Sequence, residues 1–374
     1  MRYFCLPSDF KEETINSYQE INCKYNHSMI IETYGQLTCE NTFEFTRSDR
    51  QTPDVDREKL EKYVNYSYKR GIQFNYTHDS SYMADEELTL AGYKKTQDFF
   101  HTLQEMGISS ITLTLPSLME ICKYAAPSLN VRASASCQIN SPIKAKFYDE
   151  LGVKRIILDE DINRRFDILS NIRDVYTGDL EIVVNSHCLN DCPYKIFHNN
   201  SMSLINKDKA AYPYYSTRCK NNHIGAENFM KLNWIRPEDI HFYNETGIDF
   251  FRIQGKATVF SGNPVKAVNH YIKGYYEGDL VKLLELFSPI RELAIAETAV
   301  NNRALDGFID MFVYNPESCT KKCDECGYCK SYGEASMTKL DRFLMDLVKS
   351  MNASMLDNFP SHLENNQNLK LDKY

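Results

Sequence analysis

The sequence contains no run of about 18 apolar residues, the length a helix needs to cross a bilayer, so no membrane span is expected. Its first residues, MRYFCLPSDFKEET, lack a basic start followed by a long apolar stretch, so no secretion signal is expected either. Excess positive charge is also missing: 43 Lys and Arg against 51 Asp and Glu leave a net charge of −8. That balance argues against a broad nucleic-acid-binding surface, which needs clustered cations, and leaves room for a local basic pocket. No GxGxxG follows the first apolar run, and no HExxH occurs anywhere. The dinucleotide-binding fingerprint and the helical zinc-peptidase signature are therefore both absent. These absences point to a cytoplasmic protein acting on a small molecule or peptide.

Cysteine is plentiful, with 12 residues. Cytosolic thiols stay reduced, so a disulfide framework is not expected, and clustered cysteines there more often bind metal or react. Cys5, Cys23 and Cys122 stand alone and read as ordinary small apolar side chains. Hydrophobic residues make up 43 % of the chain, ample for a core.

Short β-prone runs alternate with helical patterns. Strands are expected at 2–6, 28–34, 72–78, 109–115, 130–136, 155–159, 181–186 and 249–255. Helices are expected at 9–21, 54–70, 85–106, 117–126, 141–151, 163–175, 237–246 and 263–276, several opened by proline (Pro53, Pro116, Pro142, Pro237). Eight strands each followed by a helix predict a (β/α)8 barrel over residues 1–314, with runs such as IIL and IVV suited to a covered parallel sheet. An open doubly wound sheet is the alternative. Residues 187–233 form a long polar insertion after strand seven, and loops of that length are usually functional or disordered. Residues 315–374 form a cysteine-rich segment, an amphipathic helix near 336–350 and a polar end.

Barrel enzymes place their chemistry at the C-terminal ends of the strands. The strand ends here collect Cys39, Asn75, Tyr76, His78, Cys137, Gln138, His187, Cys188, Cys192, Gln254 and Lys256, with Cys219 further along the insertion. Cys188, Cys192 and Cys219 give three thiols in one insertion, and Cys39, then Cys137, is the candidate fourth ligand. Spacing alone leaves a [4Fe–4S] cluster and a zinc site equally open. A second set, CTKKCDECGYCKSY, holds Cys319, Cys323, Cys326 and Cys329, close enough for one loop to wrap one centre, a second [4Fe–4S] cluster or zinc. Arg252, Arg132 and Arg155 sit in strands, where an inward guanidinium needs a carboxylate partner or an anionic ligand. His187, His198 and His223 are possible acids, bases or second-shell donors. The run Asp159–Glu160–Asp161 reads mostly as a solvated face or cap, with only Glu160 near the rim.

The stretch VRASASCQINSPIKAKFYDELGVKRIILDEDINRRFDI, followed by LEIVVNSHCLNDCPY, PEDIHFYNETGIDFFRIQGK and YIKGYYEGD, resembles the collagenase-like peptidase U32 family in content and order. The likeness runs over roughly residues 28 to 287. The family was named for peptidase activity. Several better-understood members are oxygen-independent hydroxylases with a [4Fe–4S] cluster on four cysteines, acting on an aromatic ring or a nucleobase. Some take the oxygen from prephenate, and some work as heterodimers. The resemblance places Cys188, Cys192 and Cys219 at the family's clustered cysteines and Cys39 at an N-terminal cluster cysteine of one branch. Two departures stand out. The cysteine expected before the aGvd segment is missing from LNWIRPEDI, and the acidic residue of KIEGR is replaced by Gln254.

The resulting expectation is an iron–sulfur hydroxylase in which Arg252 and Lys256 hold an anionic donor or substrate and His187 serves as acid or base. A noncatalytic iron–sulfur partner of a homologous subunit is the first alternative, favoured by Gln254. A peptidase is the second, for which no nucleophile and base signature is present.

Overall fold

In the computed structural model, residues 1–39, 53–203, 214–222, 225–255, 258–289 and 299–338 are described, with isolated positions 350 and 353. Seven strands alternate with six helices: β1 (Arg2–Pro7), α1 (Glu12–Lys24), β2 (Ser28–Gly35), α2 (Arg57–Tyr68), β3 (Gln73–His78), α3 (Leu90–Glu105), β4 (Ser110–Leu113), α4 (Pro116–Ala125), β5 (Asn130–Ala133), α5 (Pro142–Glu150), β6 (Arg155–Ile157), α6 (Phe166–Val175) and β7 (Asp179–Val183). The insertion contributes β8 (Asn185–Leu189), α7 (Lys195–Ser203), α8 (Tyr214–Asn222), α9 (Ala226–Met230) and β9 (Leu232–Trp234). The chain then returns through α10 (Ile240–Glu245) to β10 (Phe250–Arg252), followed by α11 (Thr258–Ser261), α12 (Pro264–Lys273), α13 (Leu280–Leu284), α14 (Asp310–Tyr314), α15 (Cys323–Cys326) and α16 (Tyr328–Ser336).

β1 to β7 and β10 close into an eight-stranded parallel barrel in the order β1-β10-β7-β6-β5-β4-β3-β2, so the (β/α)8 architecture is the observed one. The helix starts follow local chemistry. Ser141 caps α5 by accepting from the Lys144 N–H, and Pro142 and Pro116 occupy first-turn positions where a missing N–H costs nothing. Apolar residues such as Ile30, Phe74, Ile111 and Ile182 are buried in the core, while the inward face of the barrel is charged.

Two expectations need correction. Strand seven ends at Val183 rather than 186, because Asn185–Leu189 leaves the barrel to pair antiparallel with β9. Asn163 pins that departure by donating from Nδ2 to the Val183 and Asn233 carbonyls at 2.9 and 2.6 Å. Strand five stops at Ala133, because Ala135–Cys137 turns as a 3-10 helix. The described tail helix, α16, ends at Ser336, and Met337 forms a bridge with Val300; the helix expected near 336–350 falls mostly beyond it. Residues 339–349 lie outside the described residues. No described helix is long and apolar enough to cross a membrane.

Candidate functional site at the barrel mouth

The barrel interior holds an ion network. Arg132 on β5 reaches Glu32 on β2, two strands that are not neighbours, so the pair bridges the inside of the barrel. Glu181 on β7 accepts from Arg252 at 3.1 Å and from Arg155 at 3.4 Å. Arg155 also meets Asp179 and the Cys5 sulfur, at 3.4 and 3.5 Å. Arg132 and Arg155 are register partners on β5 and β6, and two like charges side by side are tolerable because each has its own carboxylate. Burial pushes the Glu181 carboxyl up, but Arg252, Arg155 and Arg132 together outweigh it and hold it below its ordinary value. Three guanidiniums are met by Glu32, Glu181 and the half-exposed Asp179.

Above this layer, at the C-terminal ends of the strands, lies a cavity of about 360 Å³. Arg252 and Gln254 wall one side, His187 and Cys188 another, and Glu160 and Lys195 a third. The Arg252 guanidinium stacks over the Tyr34 ring at 3.4 Å, and the Tyr34 hydroxyl donates to the Ile253 carbonyl at 2.8 Å. Gln254, where the family carries an acid, is a strand tie. Its N–H donates to Asn185 Oδ1 at 2.7 Å, and Asn185 Nδ2 returns a bond to its carbonyl at 2.8 Å.

The insertion roofs the cavity. Lys195, at the start of α7, forms ion pairs with Asp159, with Glu160 at 3.1 Å and with Asp161 at 3.2 Å. At the far end of α7, Ser203 accepts from the Ser81 N–H at 3.0 Å, and the Ser81 hydroxyl donates to Asn200 at 2.8 Å. The helix thus spans from the loop after β6 to the loop after β3. The acidic run is therefore not a solvated face: Asp159 and Glu160 are buried around one ammonium. Burial weakens the Lys195 cation, but Glu160 and Asp159 outweigh that and raise its pKa above the ordinary value.

Cys188 sits on β8 in the cavity wall, and burial, reinforced by Glu160, pushes its thiol well up. Coordination to a metal would deprotonate it. Cys219, on α8, lies within Coulombic reach of Cys188. Cys192 is half-buried, and its carbonyl accepts from the Lys195 N–H at 3.1 Å. Cys39 is half-buried at the turn after β2, its N–H directed to the Val55 carbonyl at 3.5 Å. Cys39, Cys192 and Cys219 do not line the cavity. Cys137 is tucked against the Leu113 and Thr114 carbonyls, and burial pushes its pKa up to about 12. His198 lines the cavity from α7. Lys256 and His223 lie outside the described residues.

For a cluster at this mouth the donor set fits in part. Cys188 and Lys195 both line the cavity, whereas among the described residues no three Cys, His, Asp or Glu side chains converge to hold a metal ion. Lys195 was missed in the sequence because it looks like any surface lysine. The acidic run after a barrel strand was the available signal.

Residues 43–190 match the model of peptidase family U32. A protein of Methanocaldococcus jannaschii named as an uncharacterized protease is 33 % identical over 342 residues, covering 88 % of this chain and 97 % of that protein. The chain therefore belongs to peptidase family U32. The solved structure of the U32 peptidase Mk0906 superposes with a TM-score of 0.50 at 16 % identity, covering 68 % of this chain and 94 % of that one, a likeness of fold.

Proposed function

We propose that this U32 barrel is an iron–sulfur enzyme that modifies a small anionic molecule or peptide by oxygen-independent hydroxylation in the roofed cavity. The observation that carries the reading is Cys188, half-buried in the wall of the same cavity as Arg252. Cys39, Cys188, Cys192 and Cys219 would hold a [4Fe–4S] cluster, which supplies one-electron chemistry at a site that water enters poorly. Arg252 would bind an anion through the guanidinium N–H groups not taken by Glu181, and Tyr34 stacks on its plane. Lys256, outside the described residues, is the second cation of this proposal. His187 stands where it can give or take a proton on the bound molecule. Helix α7, pinned at both ends, keeps water from the reacting carbon. In balance, the substrate exchanges a C–H for a C–OH, and an oxygen-bearing donor gives up that oxygen and is reduced.

The family name and the Methanocaldococcus relative's name point to peptide hydrolysis. The sequence carries neither a nucleophile-and-base signature nor an HExxH, so the redox reading is preferred. Twelve free cysteines fit a reducing cytoplasm, and a homologous subunit could serve as electron donor.

The test is iron and acid-labile sulfide per chain after anaerobic purification, for wild type and Cys188→Ala. About four of each in wild type, lost in the variant, supports the reading. A wild-type chain without sulfide even after anaerobic reconstitution overturns it.

A further inference from the structure

The four tail cysteines form a group that the barrel-mouth reading leaves unused. Cys323 and Cys326 bound α15, Cys329 lies in the first turn of α16, and Cys319 precedes both. Gly327 between the helices has φ 67°, a left-handed conformation that lets the chain double back without a Cβ penalty. All four cysteines line one small pocket of about 30 Å³.

Arg164 packs nearby, and its side chain is buried. Nη1 donates to the Met230 carbonyl at 2.6 Å and Nη2 to the Trp234 carbonyl at 3.4 Å, and the guanidinium stands 4.6 and 4.9 Å from the Trp234 and Phe308 rings. Its Nε has no hydrogen-bond partner, and no carboxylate among the described residues forms an ion pair with it. Cys329, Asp239 and Cys319 lie within its Coulombic reach, and Asp239 is already paired with Arg236 at 2.9 Å. Lys231, held by Glu227 at 2.5 Å, is a second cation within reach of Cys323 and Cys329. A buried guanidinium without an anion is costly, and neutral thiols do not relieve it. Thiolates on a metal do: four of them on a divalent ion leave about two negative charges.

We propose that Cys319, Cys323, Cys326 and Cys329 bind a single four-coordinate metal ion of the zinc class as thiolates, with Arg164 as its buried counter-cation. In the structure the thiols line the pocket without converging to one point, so binding draws the loop closed and couples the ion to folding of the tail. The closed loop then clamps the insertion. Lys321 pairs with Asp191, and α16 packs on α9, where Gly333 lies against the Ala226 backbone.

Zinc, iron and acid-labile sulfide are measured in the full-length wild type, Cys326→Ser and Arg164→Met. The expected result is about one zinc per wild-type chain, lost in Cys326→Ser with iron and sulfide unchanged. Arg164→Met should hold zinc about 10- to 100-fold more weakly in chelator competition, as for other outer-shell partners. If either variant fails to fold, cobalt(II) added to the metal-stripped wild type should give thiolate-to-cobalt charge-transfer absorption. A wild type that takes up neither zinc nor cobalt, or a Cys326→Ser variant that loses iron and sulfide, overturns the zinc site. Unchanged zinc affinity in Arg164→Met overturns the counter-cation. Zinc reports this site and sulfide reports the barrel mouth, so the two proposals fail separately.

Discussion

Arg252 and Glu181 meet at 3.1 Å inside the barrel, immediately below the cavity, and Glu181 shares its second oxygen with Arg155 at 3.4 Å. One carboxylate therefore holds two guanidiniums that arrive from opposite neighbours of β7. Removing it leaves two buried cations facing each other.

Glu181→Ala is expected to destabilise the fold by about 3–5 kcal/mol in urea denaturation, the cost of breaking a buried pair from one side. The pH dependence follows from the lowered carboxyl. Its stabilisation is present above the unfolded value of 4.5 and is lost as pH falls through the lower native value. The wild type should therefore lose more stability than Glu181→Gln on acidification below 4.5. Equal acid sensitivity of the two proteins would remove Glu181 as the source.

Arg252→Gln should weaken binding of a small dicarboxylate such as malonate by roughly 10- to 100-fold in calorimetry, the loss of one charge-assisted hydrogen bond. Arg252→Lys should recover part of it, because Lys keeps the charge but not the planar fork. Malonate binding that is equal in all three proteins would place the anion elsewhere.

Lys195→Met strands Asp159, Glu160 and Asp161 around an empty centre. The expected cost is about 3–5 kcal/mol, shared between the whole fold and the local hold of α7. Hydrogen exchange should rise first in residues 195–203, and a uniform rise across the barrel would show that Lys195 does not pin the roof.

The barrel itself was legible in the sequence. Its strands are short runs apolar enough to be covered on both faces, and its helices open on Pro116, Ser141 and Pro142, residues with local roles that need no tertiary context. The ion network was only half legible. Arg132, Arg155 and Arg252 announced that partners were needed, but Glu32 lies 100 positions from Arg132, and which face it takes depends on strand register. The roof over the mouth was not legible, because Lys195 closes on Asp159 from 36 positions downstream and β8 pairs with β9 across the whole insertion. Distant pairing of this kind leaves no periodicity to read.

Gly333 lies on α16 where an added Cβ would stand 2.8 Å from the Ala226 carbonyl oxygen and 2.9 Å from its carbon. Backbone cannot yield as a side-chain tip can, so Gly333→Val should cost about 1–3 kcal/mol of tail docking. Limited proteolysis should then cut within 316–338 faster than in wild type while the barrel fragment survives. Unchanged cleavage would show that α16 is not held by α9.

The measurement that tests the central claim most directly is an anomalous difference map at the iron edge, from crystals of the anaerobically purified chain. The account predicts a strong peak at the barrel mouth beside Cys188 and Cys219, absent in Cys188→Ala. A map with no iron peak at the mouth, from protein reconstituted with iron and sulfide, would contradict it.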